Sequence, residues 1–167
     1  MIQIVKDSDT RPWFFLQTAH TTYGIRVMKT GHLEHLYYGK RITVDSQDPS
    51  SCAPLVIQRA FAPGNTCTYD REHPQISMED VCLEVGTLGK GDIREPFLEV
   101  RFADGSVTSD FTFDSYEIIT LKEKEQCLQD SGLPHSYSEA ETDSAECLQI
   151  VLQDVTNHLE LQLFYTV

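Results

Sequence analysis

The sequence predicts an all-β protein, an antiparallel β-sandwich with at most short helical turns. Three observations predict it. Apolar and polar residues alternate with period two through residues 21–42, 96–121 and 146–167. Each alternating stretch is interrupted by a turn signal containing Gly, Asp or Asn, as hairpins require. Each run also carries one apolar face, which needs a second layer to cover it.

The first hairpin is "TTYGIRVMKTGHLEHLYYGKRI". Tyr23, Ile25 and Val27 fall on one face, with Arg26 and Met28 on the other. After the turn "KTGH", Leu33, His35 and Tyr37 alternate with Glu34, Leu36 and Tyr38; the tyrosines are expected to pack or line an interface. Residues 43–76 are rich in Ser, Asp, Pro and Gly, and a loop of that length in a compact domain is usually functional or mobile. "SMEDVCLE", residues 77–84, opens with Ser77 three positions before Asp80, a capping-box echo that predicts a short helical turn. In "PFLEVRFADGSVTSDFTFDSYEIITL", Leu98, Val100 and Phe102 oppose Glu99 and Arg101. Ala103-Asp104-Gly105 makes the turn, and 107–119 returns as the second arm. Residues 122–146 read as a solvated connection, although "LKEKEQCLQ" has a helical composition. The last hairpin, "ECLQIVLQDVTNHLELQLFYTV", alternates Leu148, Ile150 and Leu152, turns near Asp154 and Asn157, and resumes with Leu159, Leu161, Leu163 and Tyr165. Leu98, Val100, Phe102, Leu148, Ile150, Leu161 and Leu163 are the residues expected between the two layers.

The 167 residues are enough for one domain, and 40% hydrophobic content is enough for its core. Acidic residues outnumber basic ones 26 to 13, giving −13. That balance lacks the basic footprint that nucleic acid or an anionic membrane would need, and it suits a neutral ligand. Residues 1–12 lack the basic start and apolar run of a signal peptide, and no apolar stretch approaches a membrane span. The five cysteines form no C-x-x-C pair and read as reduced thiols, so a cytoplasmic location is expected.

Catalytic and metal signatures are weak. His32 and His35 would share a face only on a helix, so on a strand they make no metal pair. "VGTLGKGD", residues 85–92, lacks the spacing of a phosphate-binding loop. Asp104, Asp110 and Asp114 fall on one strand face and read as solvated surface. No nucleophile elbow is present. The residues alone describe a binding or accessory module with neither metal nor cofactor.

Several segments nevertheless occur in a familiar order: "GHLEHLYYGKRI", "QRAFAPG", "GDIREPFLEVRFADGSVTSDFTFDSYEI", and "GLPHSY" before "ETDSAECLQIVLQD". Across residues 12–167 the chain resembles the amino-terminal domain of bacterial family-36 α-galactosidases. The resemblance implies part of a galactose-mutarotase-like β-supersandwich in a cytoplasmic homo-oligomer. In such enzymes a (β/α)8 barrel hydrolyses terminal α-galactosyl residues of oligosaccharides with retention, using two aspartates at its C-terminal face. It implies that residues 1–167 are a truncated N-terminal domain, without the barrel or the C-terminal β-domain, and therefore without catalytic residues. It also implies that the long loop approaches a sugar pocket in a neighbouring subunit, which makes Arg59, Phe61, Tyr69, Asp70 and Arg71 the candidate substrate-binding residues. Gln58 stands where relatives often carry an aspartate. The alternative is an autonomous carbohydrate-binding or protein-interaction module.

Overall fold

A computed structural model describes residues 1–57, 68–92, 95–120, 123 and 146–167. Two antiparallel sheets face each other. The first is a meander of β1 (Ile2–Lys6), β2 (Pro12–Gln17), β3 (Thr21–Val27) and β4 (Leu33–Lys40), in that spatial order. A short parallel pair follows, β5 (Thr87–Leu88) with β6 (Gly91–Asp92). The second sheet is β7 (Thr112–Ile119), β8 (Cys147–Asp154) and β9 (Leu159–Thr166), with β8 central.

The main core lies between the sheets. Phe14, Leu16, Ile25, Val27 and Leu33 come from the first sheet, and Leu148, Ile150 and Leu152 from β8, with Val85 and Phe111 closing the space. A second apolar cluster covers the opposite face of the first sheet, where Val5, Trp13, Phe15 and Leu36 meet Val44 and Cys52. Cys52 belongs to a 3₁₀ helix, Pro49–Leu55, capped by the Asp48 carboxylate accepting from the Ser50 amide. Gln17 Nε2 donates to the Ile42 carbonyl at 2.9 Å, and Gln3 Nε2 to that of Val44 at 2.7 Å. These bonds satisfy two polar side chains and hold the chain after β4 behind the sheet. Strand β2 is therefore buried on both faces, which explains its unbroken run "PWFFLQ".

The first expected hairpin forms as β3–β4, with a bulge between Gly24 and Ile25. Gly31 in its turn has φ +85°, and a Cβ there would meet Thr112 Cβ at 3.1 Å. The positive φ favours glycine and a Cβ would crowd Thr112, and Gly31 O accepts from the Phe113 amide at 2.7 Å, docking the turn on β7. The last hairpin forms as β8–β9, from the pair Cys147 and Thr166 to the pair Asp154 and Leu159.

The middle hairpin differs from expectation. The Asp104-Gly105 turn is present, with Phe102 N donating to Ser106 O at 2.9 Å, but the arm before it does not pair with β7. Phe97 N donates instead to Gly86 O at 2.8 Å, and Leu98 bridges Thr87. That arm belongs to the β5 region, so β7 is left to pair with β8. Leu98, Val100 and Phe102 are half-buried as a result. Leu148 and Ile150 are fully buried as expected, while Leu161 and Leu163 on the outer strand pack against the core only partly buried. Ser77 precedes a 3₁₀ turn, Met78–Asp80, but makes no side-chain capping bond. Apart from Glu123, the helical stretch suggested by "LKEKEQCLQ" lies outside the described residues. Cys52, Cys82 and Cys147 are thiols.

Candidate functional site

Three segments remote in sequence converge on the Asp110 carboxylate. The turn between β3 and β4 supplies His32, whose Nε2 lies 2.8 Å from Oδ1. Tyr69 donates its hydroxyl to Oδ2 at 3.0 Å. Lys90, between β5 and β6, brings its Nζ to 3.5 Å from the same oxygen. Because an ionised carboxylate only accepts, Nε2 of His32 carries the proton, and Nδ1 meets Thr30 Oγ1 at 2.9 Å. The Tyr69 ring stands edge-on to His32, centroids 4.8 Å apart, with Lys90 Nζ 4.9 Å from its own centroid. Burial raises the Asp110 pKa, but the His32 hydrogen bond, attraction to His32 and Lys90, and the Tyr69 bond outweigh it, leaving the carboxyl below its ordinary value. Burial first, and then Asp110, pushes the Tyr69 phenol upward.

Asp110 is itself anchored. Its amide donates to Asp154 Oδ2 at 3.0 Å, and Asp154 ends the central strand β8, buried and accepting from the Asn157 amide at 3.0 Å. The expectation that Asp104, Asp110 and Asp114 share a solvated face is thus corrected for Asp110. The chain before Thr112 is irregular, so alternation does not govern it, and the Asp110 side chain is only 28% exposed.

Thr30, His32 and Asp110 lie in line like a nucleophile, base and orienting acid. Both Thr30 and His32 are largely buried, 9% and 3% exposed, and both ring nitrogens of His32 are taken up by internal partners. The arrangement is a polar clamp joining distant segments.

The sugar-contact candidates divide. Tyr69 spends its hydroxyl on Asp110, and its amide donates to Ile76 O at 2.8 Å, closing residues 69–76 into a loop. Asp70 accepts from the His73 amide at 2.6 Å and faces His73 Nδ1 at 2.9 Å; the side-chain bond to His73 holds its carboxyl below the usual range. Arg71 is exposed. Arg59 and Phe61, with Gln58, lie outside the described residues. Sequence reasoning missed His32, Lys90 and Asp110 as partners of Tyr69. The one available signal was a histidine beside a turn glycine.

A second carboxylate organises the other end of the sandwich. Glu84 accepts from the hydroxyls of Tyr23 at 2.7 Å and Tyr165 at 2.8 Å, and His35 Nδ1 lies 3.8 Å away. Tyr23 and Tyr165, one from each sheet, stack with centroids 6.2 Å apart. Burial first, and then Glu84, pushes both phenols upward. His32 and His35 therefore serve separate carboxylates. Tyr37 packs as expected, whereas Tyr38 is 70% exposed.

A cavity of about 420 Å³ opens beside the β1–β2 turn and the 75–81 stretch. Four of its charged lining residues are paired, Arg11 with Asp7 at 2.8 Å and Arg26 with Glu34 at 2.6 Å, and Lys29 and Asp80 also line it. Its size lies within the small-molecule range, and its paired forks offer both donors and acceptors.

Residues 31–167 match the family described as the glycosyl hydrolase family 36 N-terminal domain. The bifunctional alpha-galactosidase/sucrose kinase AgaSK of Mediterraneibacter gnavus is 36% identical over 156 residues, covering 92% of this chain and 15% of that protein. The crystal structure of the alpha-galactosidase from Lactobacillus brevis superposes with a TM-score of 0.73 at 29% identity, covering 98% of this chain and 20% of its own. A variant of the alpha-galactosidase AgaA from Geobacillus stearothermophilus, solved in complex with raffinose, superposes with a TM-score of 0.70 at 26% identity, covering 93% and 20%. The chain spans between 15% and 21% of the length of the curated relatives it matches.

Proposed function

This chain belongs to the glycosyl hydrolase family 36 N-terminal domain family, and from that premise we propose that it is the accessory β-sandwich of a retaining, cytoplasmic α-galactosidase. In this reading residues 1–167 are one domain. A separate (β/α)8 barrel removes terminal α-galactosyl residues from oligosaccharides in carbohydrate metabolism. The observation that carries the reading is the family match over residues 31–167, and relatives several times longer than this chain agree with it. The sandwich contributes to subunit contacts in a homo-oligomer, and the stretch containing Arg59, Phe61, Tyr69, Asp70 and Arg71 shapes a sugar pocket. Retaining hydrolysis needs two carboxyl groups about 5 Å apart flanking the glycosidic bond, held on rigid elements. Here Asp110 and Glu84 are each committed to internal donors, which supports an accessory role for this part.

The test is turnover of a chromogenic α-galactoside. The chain alone should give none, and the chain joined in its natural order to a family 36 barrel should restore it. Turnover by the repurified chain alone would overturn the reading. A second reading, an autonomous carbohydrate-binding module, is favoured by the exposed Tyr38 ring beside Tyr23, centroids 5.9 Å apart. Saturable binding of raffinose by the chain alone, lost in Tyr38→Ala, would select it.

A further inference from the structure

We propose that Asp110 is a positioning residue for the 69–71 stretch, holding Tyr69 by its hydroxyl so that Arg71 projects from a fixed base. The inference rests on the reading that this stretch serves a sugar pocket, and it adds how the stretch is held. Tyr69 lies 41 residues from Asp110 in sequence, and His32 lies 78 from it, so only the folded sandwich brings them together.

The line of support runs outward from the core. Asp154 ends the central strand and receives the Asp110 amide, and Asp110 receives the Tyr69 hydroxyl. Tyr69 is thereby fixed at two points, its hydroxyl on Asp110 and its amide on Ile76 O. Its ring rests between His32 and Lys90, so the aromatic face is engaged inside the protein. Asp70 is turned back on His73, which leaves Arg71 as the exposed member of the three. A guanidinium carries five donors in a planar fork, and a fork discriminates among ligand oxygens only when its base is held still.

The chemistry requires a carboxylate. Three donors arrive at Asp110, from His32, Tyr69 and Lys90, and two oxygens with four lone pairs can accept them all. An amide of the same shape keeps one acceptor oxygen and turns an NH2 toward donors. Asp110→Asn removes the charge and one acceptor oxygen and should therefore weaken the hold on Tyr69, although it changes almost no volume.

The experiment has two readouts. In this chain, Tyr69→Phe and Asp110→Asn should speed amide exchange across 69–76 about tenfold or more, while the β8 amides keep their protection. In the α-galactosidase assembled with this domain, both substitutions should raise KM for raffinose by a factor similar to that of Arg71→Ala, with kcat unchanged. Unaltered exchange at 69–76, or equal acceleration there and in β8, would overturn the anchor. Local acceleration combined with no KM effect from Arg71→Ala would instead overturn the sugar-pocket reading, so the two failures are distinguishable.

Discussion

Glu84 and Asp110 are each the meeting point of side chains from distant segments, yet they hold different things. Glu84 takes its hydroxyl donors from two strands, Tyr23 on β3 and Tyr165 on β9, and so ties one sheet to the other. Asp110 takes its donors from a turn, a loop and a short connection, and ties irregular chain to the end of β8. A polar cluster between strands shares the cooperativity of the whole domain, whereas one that fixes a loop can be lost while the core persists. Similar bonds therefore have consequences set by what they join.

The largest effect should come from Glu84→Ala, which leaves two inward-facing phenols without their acceptor. A loss of about 2–4 kcal/mol of global stability is expected, measured by denaturant unfolding. A loss confined to the segment around residue 84 would erase the contrast between the two carboxylates. Gly31→Ala should follow at about 1–3 kcal/mol, from strain at φ +85° and crowding against Thr112. Because Gly31 immediately precedes His32, that variant should also loosen residues 69–76.

Acid sharpens the contrast further. The Asp110 carboxyl is held below its ordinary value, so the unfolded chain binds more protons there than the native one. Its contribution is complete above the unfolded value near about 3.9 and is lost as pH falls through the folded value. The charged and titratable groups facing Asp110 are His32, Tyr69, Lys90 and, through its amide, Asp154. Asp154 is likewise lowered, with its bonds from Asn157, Asp110 and Thr156 outweighing burial, so it adds to stability with the same sign. Protection at 69–76 should hold down to about pH 4 and fall on further acidification through the folded value, less steeply in Asp110→Asn. The smallest effect belongs to Arg71→Ala, whose stability change should stay within about 0.5 kcal/mol, as for an exposed side chain.

What the sequence made legible follows from the same physics. The β3–β4 and β8–β9 hairpins announced themselves because one face of each is apolar and the register is fixed by a turn. Strand β2 carried no such signal. With Phe14 and Leu16 in one cluster and Trp13 and Phe15 in the other, every residue is apolar or paired and no period exists. The 96–102 arm alternates well but bonds to Gly86, a tertiary choice that alternation cannot reveal. In β7, the register shift between Phe113 and Ser115 breaks the period beside Asp114. Of the site, Tyr69, Asp70 and Arg71 are nominated by the family resemblance, which singles out their loop, with residue types that suit a sugar. Asp110 could not be nominated, because its role depends on donors 20 to 78 residues away.

The contrast is tested most directly by residue-resolved amide exchange on two single-atom deletions, Tyr165→Phe and Tyr69→Phe. Each removes one hydroxyl from one carboxylate. Tyr165→Phe should accelerate exchange in β3 and β8 together, as a global loss of stability does. Tyr69→Phe should accelerate exchange only within 69–76. The same pattern from both variants, global or local, would contradict the assignment of the two carboxylates to different tasks.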